Sequence, residues 1–243
     1  MSAIVAYNDA VLAQTASGVT AVVLAAGASS RMGSPKPLAK IGQKTLLETV
    51  LHCLRSSKVD DIVVVLGGSA EAIQREVPLH DFRTVINERY QEGMSTSLAA
   101  GIAAVRDEQQ GALMVLADQP FVQPETINLL IDRFRASRPQ AVAPVYRGAR
   151  GNPVLVDRSL FPAIRTLQGD VGCRAIFASK AQVLEVSVDD MGVLLDLDTQ
   201  ADLERVRNGA LPVGAHPELH DSSFEQRRDR SEAGIRHDRT GGG

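Results

Sequence analysis

The stretch Ala21-Val22-Val23-Leu24-Ala25-Ala26-Gly27-Ala28-Ser29-Ser30-Arg31-Met32-Gly33-Ser34-Pro35-Lys36-Pro37 constrains this chain more than any other. It opens as a continuous apolar run, the pattern of a strand buried on both faces of a parallel sheet. It then breaks into the small residues Gly27, Ala28, Ser29 and Ser30, where backbone can approach a ligand closely and aim N–H groups at it. Two cations follow, Arg31 and Lys36. A buried strand feeding a glycine-containing loop with an Arg and a Lys suits phosphate, because open α/β sheets bind ligands beyond the carboxyl ends of their strands. The loop is not a Walker loop, since Gly33 is followed by Ser34-Pro35-Lys36-Pro37. Nor is it a dinucleotide fingerprint, since only Gly27 lies at the turn. The plainer alternative is an ordinary strand-to-helix loop with two surface cations.

The strand-then-helix pattern repeats. Thr45 with Glu48 reads as a capping box for a helix with Leu47, Val50, Leu51 and Leu54 on one face. Cys53 lies off that face and reads as a small packing residue. Residues 62–66 form a second buried strand, ended by Gly67-Gly68-Ser69. Those glycines either approach a nucleotide base or turn the chain. A third strand falls near 83–87, and Ser95 or Thr96 reads as the cap of a helix carrying Leu98, Ile102 and Val105. Residues 112–117 are a further buried strand, after which Pro124 and Glu125 open a helix with Ile127, Leu130, Ile131 and Phe134 inside. This alternation predicts one α/β, Rossmann-like domain, its sheet mostly parallel with helices on both faces.

After Pro139 the pattern changes to a small antiparallel or edge-strand extension. Pro144 marks the strand at 141–146 as an edge or bulged one. A basic, glycine-rich turn at 147–153 leads to a strand at 154–156, and Gly169 to Arg174 open a short helix with Ala175, Ile176 and Phe177. Strands follow at 183–188 and 194–198, and Thr199 with Asp202 caps a closing helix bearing Leu203 and Val206. The expected organisation is a flexible leader at 1–18, one domain at 19–207 and a polar tail at 208–243.

Composition narrows the partners. With 243 residues and a formal net charge of -3, the chain has no basic field to recruit nucleic acid. No apolar run approaches the roughly 20 residues of a membrane span. The N-terminus lacks the basic start and apolar core of a secretory signal. Cys53 and Cys173 make neither a disulfide framework nor zinc-type spacing, so a cytoplasmic location is expected.

Asp118, in Asp118-Gln119-Pro120, ends a buried strand on the ligand edge. It either holds Mg²⁺ beside bound phosphates or caps a turn. Asp196 and Asp198 share a face by the period of two; one of them suits a second metal ligand, and Asp198 also suits support of the helix start. Arg147, Arg150 and Arg174 either read an anionic substrate or are solvated.

Taken together, the motifs resemble those of the molybdenum cofactor nucleotidyltransferases. The resemblance rests on Leu24 to Gly33 with Lys36, Gly93-Met94-Ser95-Thr96-Ser97-Leu98, Leu116 to Pro120, Gly151-Asn152-Pro153, Gly169 to Arg174 and Asp196-Leu197-Asp198-Thr199, in the family's order. Cys173 stands where the family often has a small residue, a mild departure. Ala26 and Gln119 resemble the cytidylyl-transferring branch, since the guanylyl-transferring branch has a second glycine at the position of Ala26. The resemblance implies transfer of CMP from CTP to the terminal phosphate of the molybdopterin-form molybdenum cofactor, with release of pyrophosphate and Mg²⁺ as the cofactor. Arg31, Lys36 and Asp118 are the implied catalytic residues, and Leu24, Ala25, Ala26, Gly27, Gly68, Gly93 and Ser97 join them in holding the nucleotide. Gln119, Asn152, Asp170, Gly172 and Arg174 are expected at the pterin substrate, and Asp118 with Asp196 at the metal. A molybdenum hydroxylase or its chaperone fits as recipient partner. The alternatives are a GTP-using or other-acceptor nucleotidyltransferase, or an NAD(P)H-dependent reductase of a small heterocycle on the same fold.

Overall fold

The computed structural model describes residues 18–27, 35–172 and 182–210. Along the chain run β1 (Gly18–Ala25), β2 (Lys40–Ile41), β3 (Lys44–Thr45), α1 (Leu46–Arg55), β4 (Asp61–Leu66), α2 (Ala70–Glu76), β5 (Arg83–Ile86), α3 (Met94–Ala103) and β6 (Gln109–Leu116). They are followed by α4 (Pro124–Ser137), β7 (Ala141–Tyr146), β8 (Ala149–Arg150), β9 (Val154–Asp157), α5 (Phe161–Arg165), β10 (Val183–Ser187) and α6 (Gln200–Arg207). The main sheet has the order β10-β7-β9-β6-β1-β4-β5, with β8 added to β7. Parallel pairing joins β6, β1, β4 and β5. β9 runs antiparallel to both β6 and β7. The link from β7 to β9 is too short for a parallel crossover, which takes a dozen or more residues.

β1 is central and explains why its sequence is apolar without interruption. Val19, Ala21, Val23 and Ala25 join a core shared with Leu47, Val50 and Leu54 of α1, Ile73 of α2 and Ile127, Leu130, Ile131 and Phe134 of α4. Val22 faces the opposite core, with Leu98 and Ile102 of α3 and Phe161 and Ile164 of α5. The period of two thus serves two helical layers. Both expected capping boxes form, Thr45 with Glu48 on α1 and Thr199 with Asp202 on α6.

Four expectations are corrected. Gly18, read as the last leader residue, opens β1. Pro144 does not lie on an edge strand, since β7 sits between β10 and β9. Its missing N–H is tolerated because β9 pairs only with Ala141 and Val142, and β8 takes over at Val145 and Tyr146. α3 begins two or three residues earlier than read, with Gly93 rather than Ser95 or Thr96 at the cap and Ser95 buried inside the first turn. Residues 194–198 form no strand; a 3-10 turn at Met191–Leu194 leads into extended backbone joined to the sheet edge by Leu197 N donating to Asp118 O at 3.0 Å. The expected leader up to residue 17, the expected tail from residue 211, and the part of the expected short helix from Cys173 through Phe177 lie outside the described residues. Among those described, no helix is long and apolar enough to cross a membrane.

Candidate active site

Strands β1, β4 and β6 end together, and their exits build the floor of the site. Ala117 N donates to Leu24 O, extending the β1–β6 ladder to the residue before Asp118. Gly67 at the exit of β4 packs so tightly on Ala26 that a Cβ there would lie 3.0 Å from the Ala26 Cβ. At Gly68 an added Cβ would strike the Tyr90 ring, Cε2 at 2.9 Å. Close packing under an aromatic ring therefore already accounts for that glycine, which was expected at the nucleotide. Tyr90 has no motif around it that would have flagged this role.

The short 3-10 turn at Lys36–Leu38 brings Lys36 over the edge. Lys36 Nζ donates to Asp118 Oδ2 at 2.6 Å and to Asp198 Oδ1 at 2.7 Å. Burial alone pushes the ammonium down, but Asp118 and then Asp198 outweigh it, and its pKa lies above the ordinary value. Lys36 is therefore a fixed cation throughout the physiological range. Beside it, Gln119 Nε2 donates to Asp196 Oδ1 at 2.7 Å. Burial first, and Asp118 second, raise the Asp196 carboxyl above its usual range, against the lowering effect of the Gln119 bond. Asp196 keeps substantial solvent exposure, so water screens much of that penalty. Side chains from three segments distant in sequence, Lys36, Asp118 and the neighbours Asp196 and Asp198, thus converge. Gln119, expected at the pterin, is 4% exposed and commits its amide to Asp196.

The second wall is the start of α3. Gly93 adopts φ 111°, and a Cβ there would collide with the backbone of Gly169, with Asp170 N at 2.6 Å. Met94 N donates to Asp170 Oδ1, and Ser95 N to Gly169 O. The Gly93 and Asp170 motifs are therefore one structure, with Gly172 near Met94 Sδ. Ser97 Oγ accepts from Asn87 Nδ2 at 3.0 Å, and the same amide bonds Thr96 Oγ1. Asn87 was missed from sequence, because a lone Asn after a short strand carries no pattern. The register Met114↔Val154 puts the start of β9, and with it Asn152, at the edge where β6 ends in Asp118. Arg31 and Arg174 fall outside the described residues.

Asp118 Oδ1 is buried and has no hydrogen-bond partner among the described residues. Such an oxygen costs about 1–3 kcal/mol unless something pairs with it. A hard divalent cation fits this oxygen, and Asp196 stands close enough to raise the local negative charge. Among the described residues no three such ligands gather into a closed cage.

Residues 21–184 match the MobA-like NTP transferase domain. The chain belongs to that family. It is 32% identical over 198 residues to nicotine blue oxidoreductase of Paenarthrobacter nicotinovorans, covering 77% of this chain and 96% of that protein. It is 28% identical over 132 residues to a probable molybdenum cofactor guanylyltransferase of Natranaerobius thermophilus, covering 54% of this chain and 62% of that one. The crystal structure of Rv0371c from Mycobacterium tuberculosis superposes with a TM-score of 0.72 at 30% identity, covering 79% of this chain and 99% of that chain. Rv0371c has also been solved in complex with manganese. The fold of Rv0371c is the one described above.

Proposed function

We propose that this MobA-like NTP transferase transfers CMP from CTP to the terminal phosphate of the molybdopterin-form molybdenum cofactor. The observation that carries the reading is the convergence of Lys36, Asp118, Asp196 and Asp198 on one sheet edge, with Asp118 Oδ1 unpartnered among the described residues. A binding module without turnover has little need of a phosphate-directed cation beside an unpaired carboxylate oxygen. Ala26 and Gln119 support cytosine over guanine, on the resemblance to the cytidylyl-transferring branch.

In the reaction, a terminal phosphate oxygen of the pterin attacks the α-phosphorus of CTP. A new P–O bond forms, the bond to the β-phosphate breaks, and pyrophosphate leaves with its electron pair. The nucleophile is already anionic, so positioning and charge neutralisation carry the rate. Lys36 neutralises charge at the α-phosphate, and Arg31 at the departing pyrophosphate. The ends of β1 and the start of α3, with Gly93 and Ser97, hold the base and ribose, while Asn152 and Asp170 border the pterin. Gln119, bonded to Asp196, orients that carboxylate. Asp118 and Asp196 would hold Mg²⁺, which when bound would offset phosphate charge. A cytoplasmic location and a molybdenum hydroxylase or its chaperone as recipient go with this reading.

A second reading is favoured by one observation, the similarity to nicotine blue oxidoreductase. On that reading the chain reduces a small heterocycle with NAD(P)H, and Asp118 has no metal to hold. Pyrophosphate release with the pterin acceptor and Mg²⁺, compared for CTP and GTP, separates the possibilities. Release with CTP supports the proposal, and release with GTP alone refutes the base assignment. Release with neither, together with NAD(P)H oxidation, replaces it with the reductase.

A further inference from the structure

Asn87 stands just past the end of β5, where its backbone N donates to Leu66 O at the exit of β4 at 2.7 Å. Its side-chain amide is committed at both ends, and the commitments run in one direction. Arg89 N donates to Asn87 Oδ1 at 3.0 Å. A backbone N–H can only donate, so this bond fixes which end of the amide is the oxygen. The NH₂ end therefore faces α3, donating to Thr96 Oγ1 at 2.8 Å and Ser97 Oγ at 3.0 Å. An amide nitrogen accepts no hydrogen bond, so neither hydroxyl can return its proton there. Thr96 sends its proton to the carbonyl oxygens of Arg89 and Gly93, each at 2.9 Å. Ser97 has no such outlet among the described residues: its hydroxyl accepts from Asn87 and its own proton is left over. Asn87 and Ser97 are each 6% exposed, so bulk water does not scramble this orientation.

We propose that Asn87 is a positioning residue that acts through Ser97: it holds the Ser97 hydroxyl as a hydrogen-bond donor to an acceptor atom of a pyrimidine base. The inference rests on the reading of this chain as a CTP-using transferase with Ser97 at the nucleoside. A free serine hydroxyl rotates and serves a donor or an acceptor alike. Paired with Asn87, it serves the two unequally. An acceptor on the ligand takes the proton that nothing else receives, whereas a donor on the ligand leaves that proton stranded in a buried place. Cytosine presents two adjacent acceptors, O2 and N3; uracil keeps O2 but carries a proton on N3. Asn87 thus sets the sense of the contact without touching the nucleotide.

The test is calorimetric titration of the full chain at pH 8 with Mg²⁺, using CTP, UTP and inorganic tripolyphosphate in turn. Tripolyphosphate has neither base nor ribose, so its affinity reports on the rest of the site. Asn87→Asp replaces the NH₂ group by a second acceptor oxygen; the donors that face it keep the carboxylate ionised, and it takes the Ser97 proton. CTP is expected to weaken about 30-fold beyond any loss of tripolyphosphate. Asn87→Ala leaves the hydroxyl free to rotate and donate, so the same excess loss should be only about threefold. In a Ser97→Ala background, Asn87→Asp should add less than about twofold. A loss confined to CTP supports the proposal with N3 as the acceptor, and an equal loss for UTP supports it with O2. If Asn87 only ties β5 to α3, Asn87→Ala costs as much as Asn87→Asp, or the loss from Asn87→Asp persists without Ser97; either result overturns the proposal. Ser97→Ala removes the donor outright, and an unchanged CTP affinity in that variant overturns it as well, whether or not Asn87→Asp folds. A wild-type chain that binds tripolyphosphate but neither CTP nor UTP marks a failure of the underlying reading instead, and the proposal falls with it. Circular dichroism of each variant excludes misfolding as the cause.

Discussion

Replacing Asp190 by Ala tests how the site is braced. Asp190 is 4% exposed and accepts three hydrogen bonds, from Gln123 N at 2.9 Å, Thr126 Oγ1 at 2.7 Å and Gly192 N at 2.9 Å. Gln123 is the N-cap of α4 but makes no side-chain cap bond of its own. Asp190 supplies that cap from another segment, with its charge favourably placed at the positive end of the helix. It simultaneously pins the turn that leads to Asp196 and Asp198. Hydrogen bonds to a charged acceptor contribute about 1.5–3 kcal/mol each, but the three do not add, because burying the carboxylate offsets part of the gain. Gln123 is only partly buried, so water can replace one bond, whereas Thr126 and Gly192 are buried and left unpaired. The net expected loss is about 3 kcal/mol, or roughly 9 °C in Tm for a domain of this size. Asp190→Asn keeps one acceptor oxygen and should lose about half as much. Urea denaturation followed by circular dichroism measures both. A loss below about 1 kcal/mol for Asp190→Ala would refute the bracing argument.

Three further outcomes are expected. Asp118→Ala should reduce metal-dependent turnover by at least about 100-fold while the circular dichroism spectrum is retained, and a variant with most of its activity would sink the assigned role. Cys53 donates its thiol to Val122 O, and burial, then Asp190 and Glu125, push its pKa up to about 12. In a Cys173→Ser background it should resist DTNB at pH 8, where only about one thiol in ten thousand is ionised, and react on unfolding. Because the raised pKa belongs to the folded state, this thiol lowers stability as pH rises above its unfolded value near 9, and Cys53→Ala should flatten that limb of a pH–stability curve. Gly93→Ala forces a side chain into φ 111° and against Gly169, at a cost of about 2–3 kcal/mol, and should also weaken nucleotide affinity in a fluorescence titration; unchanged values in both would contradict the α3 wall.

The fold was legible because burial leaves a direct trace in sequence. β1, β4 and β6 are covered on both faces, so their sequences carry no polar alternation. Thr45–Glu48 and Thr199–Asp202 satisfy orphan backbone groups by fixed spacing, and both caps formed where they were read. Pro144 misled because a proline reports one missing donor, not which neighbours a strand has; a gap between two partner strands accommodates it as well as an edge does. Residues 194–198 misled because alternating Leu and Asp fit any extended backbone, and only the surroundings decide whether a ladder forms. In the site, Asp118 and Lys36 could be read from their place after buried strands and loops. Their contact across 82 positions could not, nor could the bond from Gln119 to Asp196. Pairings of that kind depend on where two loops meet in space, which no local period encodes.

Transfer of label is the most direct test of the central claim. CTP radiolabelled at the α-phosphate is incubated with the chain, Mg²⁺ and the molybdopterin-form cofactor, in parallel with CTP labelled at the γ-phosphate. The account predicts that the α-label enters the pterin product and the γ-label leaves in pyrophosphate, with both lost in Asp118→Ala. Failure of the α-label to reach the pterin, with NAD(P)H-dependent reduction of a heterocycle unaffected by Asp118→Ala, would contradict it.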